Sequence, residues 1–349
     1  MKKIDILGWD NGYDSEKMTF GENDNLVFPS IAFIPEKSSI NIIEKSSSIR
    51  KNKMIISFND KEYFVGDYAI EQSTNDFKPD LQEDRFKKET ETVKFLAGLS
   101  TRFPEETEFV INNLYVGLSI SAYKNKNYKK EKENKYNDTF KYYIPSSNGK
   151  KEVTVTVNNV EVYPQGVTSY FTNILDWKGE PDNIDLLQRR YMLIDIGGNT
   201  TDAFIARGSN VIRGTAISLQ KGTSDAFKEV QNKYDNQLSL YNIKTNYEDY
   251  SENEKKTKCI VFDNYKTFDI TNDIKNAFQN LAESVYTQLT SQWNRKTGTE
   301  KYAYLTGGGA YSLGSYIEGQ LPESIENIVI TDPQLSNANG LYKIGKSQK

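Results

Sequence analysis

Two aspartates far apart in the chain stand in the same local context. Asp195 follows the apolar run Tyr191-Met-Leu-Ile194 and precedes Ile196, Gly197-Gly198, the small polar residues Asn199 and Thr200, Asp202 and a second apolar run, Ala203-Phe-Ile-Ala206. An apolar strand, a tight glycine turn and a return strand make a hairpin with bare backbone N–H groups at its tip. Glycine lacks the Cβ that would hold an anion away, so such a tip can cradle a phosphate. The adjacent carboxylate suits a metal ion carried by that phosphate. Alone, the stretch reads as well as an ordinary hairpin with a Gly-Gly turn. The start of the chain tips the balance. Ile4 to Trp9 is a strand ended by Asp10, Asn11-Gly12-Tyr13 opens a turn, and Lys17 lies on the returning segment Lys17-Met-Thr-Phe20. Two such hairpins imply two similar half-domains facing each other, with a nucleotide's phosphates between the tips. Lys17 would bring a positive charge to a β- or γ-phosphate, and the two acids would hold water on Mg²⁺.

Composition narrows the chemistry further. The 349 residues contain no histidine and one cysteine, Cys259. That removes Ser-His-Asp and Cys-His nucleophiles, His-ligated zinc, Cys-cluster metal sites and any internal disulfide. Carboxylates, amides, hydroxyls, lysine and backbone dipoles remain. Phosphoryl transfer with Mg²⁺ suits them, because it depends on positioning and charge neutralisation. A net charge of −4 and a pI near 5.3 argue against a general nucleic-acid coat. No apolar run reaches the ~20 residues of a membrane span, and the acid at Asp5 disagrees with a signal peptide. The expected location is cytoplasmic. The length is enough for two or more domains with good cores.

Other elements must position these groups. Val160 to Tyr163 is a strand ending at Pro164-Gln165-Gly166, and Val167 to Trp177 a helix, so Gln165 sits at a strand-to-helix corner. An uncharged amide there can orient a water molecule. Tyr302 to Thr306 is a strand, followed by Gly307-Gly308-Gly309 and a helix from about Ala310 to Leu321, a third place where backbone could approach phosphate or ribose. Ile270 to Trp293 carries an apolar stripe at three- and four-residue steps, a core helix. Glu91 to Leu99 reads as a helix, Pro104 as the start of another, and Thr223 or Ser224 as the N-cap of a helix to about Tyr234. Lys37 to Asn52 and the Lys-, Asn- and Tyr-rich stretch Ala122 to Asn137 read as surface loops or hairpins. The segment Ile325 to Thr331 is a last strand, and Pro333 starts a terminal helix.

An acid-ended hairpin, a corner glutamine, a second acid-ended hairpin and a strand-Gly-Gly-Gly-helix, in that order, resemble the actin, Hsp70 and sugar-kinase superfamily. Within it the chain is most similar to the bacterial plasmid-segregation actin-like ATPases (ParM type) and archaeal actin relatives. Phe28-Pro-Ser30, Tyr63-Phe-Val-Gly66, Val116-Gly-Leu118, Gly222-Thr223 and the tail Asp332-Pro-Gln334 with Asn337-Ala-Asn-Gly340 add to the match, which runs nearly end to end. The resemblance implies an α/β actin-like fold, two related RNase H-like domains around a nucleotide cleft. The first would span residues 1–163 and 330–349, the second residues 164–329. It implies that Asp10 and Asp195 hold hydrated Mg²⁺, with Asp195 also near the attacking water, and that Gln165 orients that water. Lys17 would touch phosphate, and Asn11, Gly12, Tyr13, Gly197, Gly198, Asn199 and Thr200 would donate N–H groups to phosphate oxygens. Gly307, Gly308 and Gly309 would admit the ribose and α-phosphate. The implied cofactors are ATP, or GTP in its place, and Mg²⁺. The implied partners are further copies of the chain in a filament, and a small DNA-binding adaptor on centromere-like plasmid DNA, with no direct nucleic-acid or membrane contact. A small-molecule kinase on the same scaffold is the alternative, although no acceptor pocket is marked.

Overall fold

The computed structural model describes residues 1–36, 49–73, 80, 82–182, 188–253, 255–263, 265–293, 300–323, 325–329 and 332–349. The chain forms two units, Met1–Ile184 with Leu335–Lys349, and Asp185–Gln334. Each is a mixed sheet with helices packed against it, the α/β actin-like architecture expected from the sequence.

In the first unit the strands are β1 (Lys2–Asn11), β2 (Ser15–Gly21), β3 (Asp24–Pro29), β4 (Ala32–Phe33), β5 (Met54–Phe58) and β6 (Lys61–Val65), then β7 (Glu108–Leu118), β8 (Thr139–Ser146), β9 (Gly149–Val157) and β10 (Val160–Pro164). Helices α1 (Gly66–Gln72), α2 (Glu89–Arg102), α3 (Ile120–Lys124), α4 (Lys126–Tyr136) and α5 (Val167–Ile174) interleave with them. The sheet order is β3-β2-β1-β7-β9-β8-β5-β6-β4, with β10 added beside β7. β1 and β7 run parallel, paired from Lys2↔Phe109 to Trp9↔Val116, and β10 continues parallel on β7. β1 is buried continuously from Ile6 onward, as a strand covered on both faces should be. One side of it meets Phe95 of α2 and Tyr136 of α4, whose rings lie 4.8 and 5.0 Å from Trp9. On the other side the last helix comes so close that a Cβ at Gly8 would lie 2.3 Å from the Ala338 carbonyl oxygen.

The second unit has β11 (Arg190–Ile196), β12 (Thr201–Arg207), β13 (Asn210–Val211), β14 (Ile217–Leu219), α6 (Thr223–Lys233), α7 (Leu240–Glu252), β15 (Ile260–Asp263), β16 (Lys266–Asp269), α8 (Thr271–Trp293), β17 (Tyr302–Thr306), α9 (Ala310–Glu318) and β18 (Glu326–Val329). Its main sheet runs β13-β12-β11-β17-β18, with β14 on β12. β17, α9 and β18 form a parallel crossover. The stripe on α8 is a core face: Ile274, Phe278, Leu281, Val285, Leu289 and Trp293 are all buried, and the Trp293 indole donates to the Thr215 carbonyl at 2.7 Å. α10 (Ser336–Ser347) returns to the first unit.

Four expectations need correction. Ala122 to Asn137 is helical rather than a surface loop or hairpin: α4 is N-capped by Asn125, whose side chain accepts from the Asn127 amide at 3.1 Å. α4 itself hides only Lys132 and Tyr136, so it shows no apolar stripe. No helix opens at Pro104, because α2 ends at Arg102 and the inward residues Phe109 and Ile111 already belong to β7. The terminal helix starts at Ser336, not Pro333. Finally, the second unit starts at Asp185 rather than at 164. α5 lies against α10, where a Cβ at Gly340 would sit 1.8 Å from the Thr168 carbonyl oxygen. The Lys343 ammonium also caps the end of α5, donating to Thr172 O at 2.8 Å and Leu175 O at 2.6 Å. The expected loop at Lys37 to Asn52 lies mostly outside the described residues.

Candidate functional site

The site residues fall in both units, and each half is built by its own sheet. In the first unit β1 and β2 are antiparallel, pairing Asp10 with Lys17 and Asn11 with Glu16. The Gly12 amide donates to Ser15 O at 3.1 Å and closes the turn. Asp10 is 1% exposed and takes a donor on each oxygen: Lys17 Nζ on Oδ2 at 2.9 Å, and Gln165 Nε2 on Oδ1. So Lys17, expected on a phosphate, is paired with the acid, and the corner glutamine meets that same acid.

The Gln165 corner is held from several sides. Its amide donates to Leu118 O at 2.7 Å. A Cβ on Gly117 would lie 2.8 Å from Gln165 Cγ, so only glycine lets the side chain lie across β7. Gly166 has φ of +78°, a conformation that favours glycine. Its amide and the Thr168 hydroxyl both donate to Asn337 Oδ1 at 2.8 Å, so the tail of the chain fixes the connector.

Beneath this loop lies a buried ion cluster that the sequence reading missed. Arg85 Nη1 meets Glu91 Oε2 at 2.7 Å, and its Nη2 donates to the Asn11 carbonyl. Lys94 bridges Glu91 at 2.6 Å and Glu16 at 2.9 Å, while Glu16 also accepts from the Trp9 indole at 2.8 Å and the Ser30 hydroxyl at 2.7 Å. Burial raises the Glu91 carboxyl, but Arg85 and Lys94 outweigh it and hold its pKa at about 2. Lys132 of α4 reaches in and donates to Asn11 Oδ1 at 2.7 Å and Gly117 O at 2.8 Å. Burial, with Arg85 adding, brings its pKa down to about 7. One signal was legible: Glu16 alternates with Met18 on the inward side of β2, where a charge demands a partner.

In the second unit β11 and β12 pair Asp195 with Asp202 and Ile196 with Thr201, and the Gly197 amide donates to Thr200 O at 2.8 Å. Here the support is backbone. The start of α6 sends the Thr223 and Ser224 amides to Gly197 O and Gly198 O at 3.2 and 2.7 Å. A Cβ at Gly222 would lie 2.5 Å from the Gly198 carbonyl carbon. The Gly309 amide donates to Ile196 O at 2.8 Å, and a Cβ there would meet Ile196 Cγ2 at 2.5 Å. Gly307, at φ +82°, leaves room for Asp195, since its Cβ would fall 2.3 Å from Oδ1. Two of the three glycines therefore press against the end of β11. Gly308 alone is open, its nearest neighbour being Gln334 Cγ at 3.7 Å from an added Cβ.

The donor set fits a phosphate carrying a hydrated divalent cation. Gly12 and Gly197 use their amides inside their turns, contrary to expectation, but those of Gly198, Asn199 and Thr200 have no acceptor among the described residues. Asn199 Oδ1 is buried with no donor to it. Three consecutive open N–H groups suit phosphate oxygens, and an orphan acceptor suits a water or a ribose hydroxyl. Among the described residues no three acids, cysteines or histidines cluster as a direct metal cage. No helix among the described residues is long and apolar enough to cross a membrane.

Sheet topology and paired acid-ended hairpins define an actin-like nucleotide-binding fold. The family model for the N-terminal domain of actin-like proteins matches residues 8–167, and that for the C-terminal domain of the archaeal MreB-like actin homologues matches residues 193–319. The chain is thus an actin-like protein in both halves. Among solved structures it is similar to the actin-like protein Alp7A, at 18% identity and TM-score 0.80, over 99% of this chain and 97% of the other. It is also similar to Ta0583, an archaeal actin homologue in complex with ADP, at 18% identity and TM-score 0.72, covering 99% and 100%. A 15-stranded ParM filament from Clostridium botulinum is likewise similar, at 18% identity and TM-score 0.72, covering 99% of both chains. No curated protein sequence matches this chain.

Proposed function

We propose that the chain is an ATPase of the plasmid-segregating actin-like kind. It binds Mg-ATP, or GTP in its place, through both loops, polymerises with nucleotide bound, and loses polymer after hydrolysis. The observation that carries this reading is the shared register of the two hairpins. In each, an acid pairs across the ladder with the residue seven positions later, and the amide of the turn's first glycine bonds to the carbonyl three positions later. The solved ADP complex of an archaeal relative and the ParM filament support nucleotide binding and self-assembly.

When bound, Mg²⁺ would neutralise charge on the transferring phosphoryl group. Asp10 and Asp195 would hold its waters. The Gln165 amide, with Nε2 on Asp10 Oδ1, keeps Oε1 to accept from and orient the attacking water. Gly198, Asn199 and Thr200 would bind phosphate oxygens through their amides. Bridging to DNA would fall to a small DNA-binding adaptor, consistent with the acidic chain.

Light scattering with added Mg-ATP tests this reading. Signal should rise above a threshold protein concentration and decay as phosphate is released. Asp195→Ala should cut phosphate release by about 100-fold or more with the fold retained. A protein that stays monomeric in saturating Mg-ATP while phosphorylating a small acceptor would move the assignment to a kinase.

A further inference from the structure

We propose that Lys132 is a positioning residue for hydrolysis, a staple between β1 and β7 that holds Asp10 and Gln165 in register from below. The inference rests on the function proposed above and assigns a role to a residue outside every motif of the phosphate loops.

The geometry is specific. β1 and β7 pair in parallel only as far as Trp9↔Val116. Beyond that point the two chains carry the groups that matter, Asp10 and Asn11 on one, Gly117 and Leu118 on the other. Lys132 spans them where the ladder has stopped, one N–H on Asn11 Oδ1 and one on Gly117 O. Asn11 adjoins Asp10. Gly117 is the residue against which Gln165 lies, and Leu118 O receives the Gln165 amide. A shift at this staple would therefore move both the acid and the water-orienting amide.

The charge pattern separates positioning from ordinary ion pairing. The buried acids Asp10, Glu16 and Glu91 already face Lys17, Lys94 and Arg85 in salt bridges of 2.9, 2.9 and 2.7 Å. Lys132 is 1% exposed, has no carboxylate partner among the described residues, and donates only to neutral oxygens. Glu91, Glu16 and Asp10 attract the ammonium from a distance, but burial and Arg85 outweigh them, so local charge balance does not require it. What it supplies is a pair of donors at the end of a long arm.

The test compares wild type with Lys132→Met, which keeps the volume and removes the donors. Single-turnover hydrolysis should slow about 10- to 100-fold, as expected for a small misplacement of reacting groups. Nucleotide affinity should change less than about threefold, and the thermal midpoint should not fall. Amide exchange at Gly12 and Gln165 should speed up about tenfold or more with no nucleotide present. If Lys132→Met does not fold, Lys132→Gln, which keeps a donor group on an arm too short to span both acceptors, replaces it, with the same effects at reduced size. Unchanged exchange at both amides overturns the staple whether or not the wild type hydrolyses ATP. Unchanged hydrolysis, or a loss of rate that only follows a lower thermal midpoint, overturns the positioning role. A wild type that binds no nucleotide, with exchange still faster in Lys132→Met, would keep the staple and remove the function proposed above.

Discussion

The two hairpins have the same register and opposite means of support. The β1–β2 loop rests on side-chain charge: Arg85 and Lys94 pair with Glu16 and Glu91, all buried, and Lys132 adds two hydrogen bonds beside them. The β11–β12 loop rests on backbone: three glycines close on Ile196 to Asn199, and the first amides of α6 cap its carbonyls. The partner of the acid differs accordingly, Lys17 in one hairpin and Asp202 in the other. One ladder geometry can be enforced by ions or by close packing. The two respond to different perturbations, and each can be broken separately.

The largest effect is expected in the ion-supported half. Glu91→Gln removes the charge shared by Arg85 and Lys94 and should destabilise the first unit by about 3–5 kcal/mol, since it leaves buried cations short of a partner. Denaturant unfolding followed through the first unit measures it. The pH dependence gives a second handle. Glu91 titrates near 2 in the folded chain against 4.5 as its ordinary value. A depressed carboxyl stabilises fully above about 4.5 and loses that contribution as pH falls through about 2, so the gap between wild type and Glu91→Gln should close over that window. A gap that stayed constant down to pH 2 would mean that the cluster does not support the loop through charge.

The glycine-supported half should break sterically and without pH dependence. Gly307→Ala forces a Cβ onto Asp195 Oδ1 at a φ of +82° and should cost about 2–4 kcal/mol in the second unit. Gly308→Ala, with open space, should stay within about 0.5 kcal/mol. Equal costs at the two positions would show that the close approach at Gly307 relaxes freely, and the contrast between the halves would shrink.

The same division explains how much could be read from sequence. The glycine-backed loop was legible because Asp195, Gly197-Gly198 and Gly307 to Gly309 are conspicuous in type and spacing, although their spacing did not reveal that Gly307 and Gly309 also make room for the end of β11. The corner glutamine was found because Pro164 and Gly166 bracket it. The ion cluster was hidden. Its charged members are dispersed between Glu16 and Lys132, and all but Glu16 look like surface charges when read locally. Lys132 sits in a helix with so few inward residues that periodicity could not detect it. Long-range charge pairing leaves little periodic trace, whereas close backbone packing leaves glycines.

A further small stability effect is the most discriminating for the ligand. Asn199 Oδ1 is buried with no donor, and the amides of residues 198–200 stand open beside it. An acceptor left bare costs the empty protein about 1–3 kcal/mol of lost hydration. Asn199→Ala removes that cost together with some packing. The empty protein should therefore be unchanged or more stable by up to about 1 kcal/mol. If a bound nucleotide supplies the missing donor through its ribose or a phosphate-held water, the same change should weaken nucleotide binding about tenfold, measured by calorimetry with Mg-ADP. Opposite signs in the two measurements would identify the orphan acceptor as a ligand contact. A loss of stability with unaltered affinity would make Asn199 a packing residue and leave phosphate capture to the open amides alone.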